Sequence, residues 1–281
     1  MSEHLLSTIT SSYPRIEALR GKTVLVKYGG AAMEDERTRH LVCQEVAALH
    51  ELGVKLIVVH GGGKEISRMM ERVGLIPRFI DGLRVTDPDA MRITEMVLSG
   101  TINGDLVSRI SRSGAPALGL SGRDAHLIEA KKLLGTNGED LGQTGEVTAT
   151  NASPILTVLE GGFVPVISPV GETVDGEPLN LNADYAAAAI AGALKVENCV
   201  FLTDVAGVKK DGEVQPSLSR KEIDQLLSNG TISGGMIPKV QCALRAVEAG
   251  CARSIICDAS RPLSISSALT GSKGSGTVLS R

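Results

Sequence analysis

Thr23-Val24-Leu25-Val26-Lys27-Tyr28-Gly29-Gly30 and Lys55-Leu56-Ile57-Val58-Val59-His60-Gly61-Gly62-Gly63 repeat one design, an apolar β-branched run that ends in glycines. Between them, residues 37–52 place Val42, Val46 and Leu49 on one helical face, so strand, helix and strand follow in order. That is the pattern of a βαβ unit in a largely parallel sheet. Ligands of such sheets sit beyond the carboxyl ends of the strands, where glycine lets backbone N–H groups approach an anion. Lys27 stands at that edge, although taken alone it reads equally well as a surface lysine before a flexible turn.

Working outward, 64–73 resumes helix, 79–87 is irregular, and 88–99 and 104–113 read as two further helices before a strand at 117–120. Residues 127–130 and 145–150 suggest a hairpin, with the Gly- and Asn-containing link 135–142 as an exposed turn. A helix at 152–160, a buried strand at 164–167 and a turn-rich stretch at 169–178 follow. The second half then runs through an Ala-rich helix at 183–194, a strand at 199–203, helices at 221–228 and 236–249, and strands at 254–257 and 276–279. The expectation is an α/β fold whose central sheet is sandwiched by helices, with two lobes, 22–175 and 176–281, sharing it. Segment 1–21 has the apolar spacing of a short amphipathic helix suited to docking, with a frayed tail as the alternative.

Composition narrows the function. The chain has 281 residues, 42% of them hydrophobic, but only 2% aromatic with no Trp, so its core is aliphatic and stacking platforms for nucleic acid are disfavoured. Its 29 basic and 32 acidic residues are spread along the chain with a net charge of -3, which leaves no basic stripe for a phosphate backbone. Five cysteines without a Cys-x-x-Cys pair suit reduced core thiols and a cytoplasmic protein, and no segment reads as a signal peptide or a membrane anchor.

Gly-x-x-x-x-Gly-Lys-Ser/Thr, Gly-x-Gly-x-x-Gly followed by a ribose-binding acid, and Gly-x-Ser-x-Gly are all missing, and the five His do not pair at metal-ligand spacing, so no protein metal site is expected. His60, closing an apolar strand, reads as structural. Arg84 in Gly82-Leu83-Arg84-Val85-Thr86 would suit a carboxylate through two parallel hydrogen bonds, though most arginines are simply solvated. In Asn180-Leu181-Asn182-Ala183-Asp184, capping of the Ala-rich helix would by itself explain Asn182 and Asp184. Gly234-Gly235-Met236-Ile237-Pro238-Lys239 opens another helix with a lysine near its N-terminus, the wrong sign for the helix dipole unless an anion is shared there.

Taken in order, Lys-Tyr-Gly-Gly, Val-His-Gly-Gly-Gly, Gly-Leu-Arg-Val-Thr-Asp, Asn-Leu-Asn-Ala-Asp and Gly-Gly-Met-Ile-Pro-Lys resemble the N-acetylglutamate kinases, which have the amino acid kinase fold. The resemblance spans about residues 21–250. It implies ATP-dependent phosphorylation of the side-chain carboxylate of N-acetyl-L-glutamate, with Mg²⁺ accompanying ATP, in arginine biosynthesis. It assigns Lys27, Lys239, Gly30 and Gly62 to the transferring phosphoryl group and has Asp184 hold both lysines. Gly62, Gly63, Arg84 and Asn180 would bind the acid. Lys27, Thr203, Asp204, Val205, Gly207, Gly234, Gly235, Met236 and Lys239 would form the ATP site.

The resemblance also brings in a homo-oligomer, a dimer or a hexamer linked through 1–21, and a PII-type regulator as a candidate partner. Arginine-inhibited members carry His-Ile-Ile-Asp-Gly-Arg and a downstream Glu, where this chain has Ile255-Ile256-Cys257-Asp258-Ala259-Ser260 and Ala268, so arginine inhibition is expected to be weak or absent. Lys64 stands where the family commonly has Pro. Two rivals use the same residues: a relative acting on carrier-bound aminoadipate or glutamate, and a silent nucleotide-sensing subunit, against which the pair Lys27 and Lys239 argues.

Overall fold

The computed structural model describes residues 14–272 and 274–280. Of the segment expected to form an N-terminal docking helix, 1–13 lies outside the described residues, and 14–17 forms one helical turn.

One eight-stranded sheet organises the chain. Its centre is β1 (Thr23–Tyr28), flanked in parallel by β2 (Lys55–His60) and β11 (Asn198–Thr203). Beyond β2 lie β8 (Val164–Ser168) and β5 (Ala117–Ser121), and beyond β11 lies β15 (Arg253–Asp258), all parallel. Only β16 (Thr277–Leu279) runs antiparallel to its neighbour β15, and β14 (Ser217–Leu218) pairs parallel to β16 at the edge. The expected helix-sandwiched, largely parallel sheet is therefore what forms.

Strand alternation decides which side chain meets which layer. Val24, Val26 and Tyr28 face α1 (Glu36–Glu51) and pack with Val42, Val46 and Leu49. Leu25 faces the opposite layer with Ala186, Ala187 and Ile190 of α6 (Ala183–Ala193). Small side chains let α6 come close; a Cβ on its Gly192 would lie 2.3 Å from that of Ala249, just past the end of α8 (Met236–Glu248). Lys27, two residues after Leu25, inherits the α6 face and meets the N-terminus of that helix.

Several local expectations are corrected. Residues 79–87 are not irregular throughout: β3 (Arg78–Ile80) and β4 (Leu83–Val85) form a hairpin. Its strands are too short to show an alternation of period two. The two helices expected at 88–99 and 104–113 are one continuous run, α3 (Pro88–Glu95), a π-helical stretch (Met96–Ile102) and α4 (Asn103–Arg112). Gly100 lies inside the π-helical stretch, which widens the helix without ending it, so the break that sequence propensity suggests there does not form.

The exposed turn expected at 135–142 spans only 135–139, because β7 (Asp140–Thr150) begins inside it, pairing with β6 (Ile128–Leu134), and Leu141 is fully buried. The turn-rich 169–178 contains β9 (Val170–Glu172), which joins β6, β7 and β10 (Pro178–Leu181) in a small closed barrel beside the main sheet. Ser264–Thr270 forms a short helix that no capping or periodic signal marks; it is held by buried Glu45 of α1, which accepts from the N–H groups of Ile265 and Ser266. All five cysteines are buried and free.

Candidate active site

The glycine turns after β1 and β2 lie side by side. Gly61 N donates to Tyr28 O at 2.9 Å, and the Gly29 Cα lies 3.6 Å from where a Cβ on Gly61 would be. Tyr28 is buried, and its hydroxyl donates to Ala32 O at 2.8 Å, which pins the tight turn Gly30–Met33 that follows. Gly30 adopts φ +70°, in the left-handed region that favours glycine. Gly62 is required for another reason: a Cβ there would lie 2.3 Å from Ile102 Cδ1 and 2.7 Å from Leu98 Cδ2, both on the π-helical stretch.

Lys27 is 8% exposed, and its Nζ lies 2.7 Å from Asp184 Oδ1. Asn182 caps α6 by accepting from Asp184 N at 2.8 Å, so the helix start is fixed and Asp184 is aimed at β1. Lys239 is held otherwise than the resemblance implied. Its Nζ donates to Asp204 Oδ1 at 2.7 Å, and Thr203 Oγ1 donates to the same oxygen at 2.9 Å. Asp204 follows β11 directly and is the carboxylate that Lys239 meets, whereas Asp184 pairs with Lys27. The Lys239 ammonium and the Thr203 hydroxyl together hold the Asp204 carboxyl down to about 2.

Arg84 on β4 is 7% exposed and makes no ion pair among the described residues. Its guanidinium donates to Gly63 O and Ser67 Oγ, each at 2.8 Å, contacts Met70 Sδ at 3.2 Å, and lies 4.7 Å from the centre of the Phe79 ring. Burial pulls its pKa down. A buried cation with only neutral partners is costly, and such groups mark places where an anion completes the arrangement. Asn180 on β10 donates to Thr86 Oγ1 at 3.1 Å, and Thr86 shares a hydrogen bond with Thr144 at 2.8 Å. Ser67, Phe79 and Thr144 carry no sequence signal of a site; the helix Gly63–Arg72, the hairpin and the small barrel bring them here.

Three cavities follow one another along the carboxyl edge of the sheet. The first is lined by Gly62, Gly63, Arg84 and Asn180 and ends at Lys27 and Asp184. The second shares Lys27, Gly30 and Asp184 with it and adds Thr203, Asp204 and Lys239. The third begins at Asp204 and continues over Val205, Ala206, Ile232 and Met236. Gly207, Gly234 and Gly235 line none of the three: Gly207 packs against Thr277 and Val214, and the two others form the turn into α8. Among the described residues, no three His, Cys, Asp or Glu side chains are placed to hold a metal ion, and no helix is long and apolar enough to cross a membrane.

The architecture recurs in solved structures. N-acetylglutamate synthase from Neisseria gonorrhoeae, complexed with coenzyme A and N-acetyl-glutamate, matches with a TM-score of 0.86 at 23% identity, over 98% of this chain and 63% of that one. This chain thus spans less than two thirds of the synthase. A Streptococcus mutans protein, smu.665, matches with a TM-score of 0.75 at 27% identity, over 92% of this chain and 98% of that one. Carbamate kinase from Giardia lamblia, bound to AMP-PNP, matches with a TM-score of 0.64 at 19% identity, over 93% and 99% of the two chains. The synthase and the carbamate kinase share a fold but not a reaction, so likeness to them speaks to architecture alone. Residues 22–258, most of the sequence, match the family model itself, and the chain belongs to the amino acid kinase family.

Proposed function

We propose that this protein transfers the γ-phosphoryl group of ATP to the side-chain carboxylate of N-acetyl-L-glutamate. The observation that carries the reading is the shared wall of the first two cavities: a space with a buried, unpaired Arg84 opens onto Lys27, and beyond Lys27 lies Lys239. One end suits a carboxylic acid, the other a polyphosphate. The Asp204-to-Met236 cavity then receives the rest of the nucleotide. In this reading residues 22–175, with Asn180 from the edge of the second lobe, bind the acid and the rest of 176–281 binds the nucleotide, and the reaction belongs to arginine biosynthesis.

Arg84 would clamp the α-carboxylate of the acid, with Asn180 beside its amide and Gly62 and Gly63 along its length. The reacting carboxylate, with an ordinary pKa of about 4.3, is already ionised at neutral pH and needs no base to activate it. Its oxygen forms a bond to the γ-phosphorus as the bond to the β,γ-bridging oxygen breaks, and the electron pair leaves on ADP. The barrier is electrostatic: two unit negative charges about 4 Å apart repel by about 4 kcal/mol at an effective dielectric of 20. Lys27 and Lys239 offset that repulsion, and Asp184 and Asp204 hold the two ammonium groups in place. Mg²⁺ arriving with ATP would supply further charge neutralisation.

The test is acyl phosphate formation trapped with hydroxylamine, using ATP, Mg²⁺ and N-acetyl-L-glutamate beside glutamate, aspartate and aminoadipate. Turnover that prefers N-acetylglutamate supports the proposal. Turnover preferring another acid moves the substrate, and none with any acid returns the choice to a carrier-bound substrate or a silent subunit.

A further inference from the structure

His60 is wholly buried between the sheet and the helical layer and lines none of the three cavities, yet it sits one residue before the glycines that do. Its Nδ1 lies 2.9 Å from the carbonyl oxygen of Gly61, and its Nε2 lies 3.2 Å from Asn103 Nδ2. The same Asn103 nitrogen donates at 2.9 Å to Val166 O on the neighbouring strand β8. A carbonyl oxygen only accepts, so Val166 fixes the orientation of the Asn103 amide and turns its second N–H onto His60 Nε2. Nε2 is therefore the acceptor of the ring, and Nδ1 carries the proton and donates it to Gly61 O. Both ends of the chain require the same tautomer. Burial keeps the ring neutral, with its pKa pulled down to about 4.

The Gly61 carbonyl and the Gly62 N–H belong to one planar trans peptide, in which C=O and N–H point in opposite directions. Holding the carbonyl toward His60 turns the Gly62 N–H away from the interior. No acceptor among the described residues meets that N–H, and Gly62 borders the acid cavity beside Lys27. Asn103 can reach His60 because it comes immediately after the π-helical stretch, and it lies where a Cβ on Gly119 would come within 2.0 Å of its Oδ1.

We propose that His60 is a positioning residue: through the hydrogen-bonded series Val166, Asn103, His60 and Gly61 it locks the Gly61–Gly62 peptide so that the Gly62 N–H is presented to the transferring phosphoryl group. This rests on the kinase reading above. His60 takes no proton from substrate; its contribution is to make the donor rigid before the charge develops, which is where preorganised donors contribute most.

The wild-type protein labelled with ¹⁵N at histidine reports the tautomer directly, with the signal assigned by its loss in His60→Gln. A protonated Nδ1 and an unprotonated Nε2 are expected, and the reverse overturns the proposal. Asn103→Leu removes the donor that sets the tautomer without touching the cavities. It is expected to lower kcat about 10- to 100-fold while KM for the acid and for ATP stays nearly constant. At His60 itself, His60→Asn keeps an N–H near the place of Nδ1 and retains more activity than His60→Gln, which places its amide nearer Nε2. Equal losses in the two variants, or an unchanged kcat in Asn103→Leu, overturn the role while leaving the kinase reading intact. Wild type that phosphorylates no acid overturns the kinase reading, and this role falls with it.

Discussion

Asp184 Oδ1 and Lys27 Nζ, 2.7 Å apart, join the first turn of α6 to the carboxyl end of the central strand. The two ends of this pair differ in access to water. The Lys27 side chain is 11% exposed and that of Asp184 25%. Asp184→Ala leaves an ammonium buried and unpaired, whereas Lys27→Met leaves a carboxylate that water and the positive end of α6 still stabilise. Asp184→Ala is therefore expected to be the more destabilising, by about 1–3 kcal/mol in urea unfolding, and equal midpoints for the two variants would contradict this. Both are expected to lose most of kcat.

Lys239→Ala separates chemistry from binding. The ammonium reaches the cavity beside Lys27 but not the one holding Arg84 and Asn180. Its loss is expected to lower kcat about 100-fold or more, the scale of losing one preorganised charge-stabilising group, with affinity for the acid changed little. Isothermal titration beside steady-state kinetics decides it, and an unchanged kcat refutes the role of Lys239.

The partner of Lys239 gives a pH prediction. The Asp204 carboxyl is held down to about 2 from an unperturbed 3.8. A depressed carboxyl contributes stability that is fully present above the unfolded value and lost as pH falls through the folded one. The Lys239–Asp204 contact should thus persist at pH 4 and disappear near pH 2. In Lys239→Met the Asp204 titration followed by ¹³C NMR should move up toward 3.8. With Asp204 58% exposed, the accompanying change in global stability should be small.

Arg84 has no acidic partner among the described residues, so its replacement should appear in substrate affinity. Arg84→Met is expected to raise KM for the acid about 10- to 100-fold, as befits a lost charge-assisted bond. Arg84→Lys should restore only part of this, since a point charge cannot reproduce the two-pronged contact. A KM that stays at the wild-type value in both variants would remove Arg84 from the acid site.

Gly62 tests the wall behind the donor loop. With φ 171° its backbone is extended and suits any residue, so Gly62→Ala suffers only from contact with Ile102 and Leu98. The expected cost is about 1–3 kcal/mol. Since both opposing atoms are ends of flexible side chains, Ile102→Val should recover part of it in a double-mutant cycle. Additive effects would show that the π-helical stretch does not press on this glycine.

Sequence by itself determined the layered fold, because apolar β-branched runs, helix period and terminal glycines each state a local physical rule. Thr23–Tyr28 and Lys55–His60 fall where apolar β-branched runs ending in glycines put them. Lys27 and Asp184 were legible one at a time, as a lysine ending a strand and an acid opening a helix. That they meet was implied by the resemblance alone and by no local pattern, since a contact across the sheet depends on which face Lys27 inherits and where α6 begins. Only tertiary structure decided the partner of Lys239, which pairs with Asp204 because β11 delivers that carboxylate to the first turn of α8. The same holds for His60, whose tautomer is fixed by a carbonyl on a strand that joins the sheet only when the chain has folded. Periodicity is a property of neighbours along the chain, whereas hydrogen-bond partners, tautomers and unpaired buried charges are properties of neighbours in space.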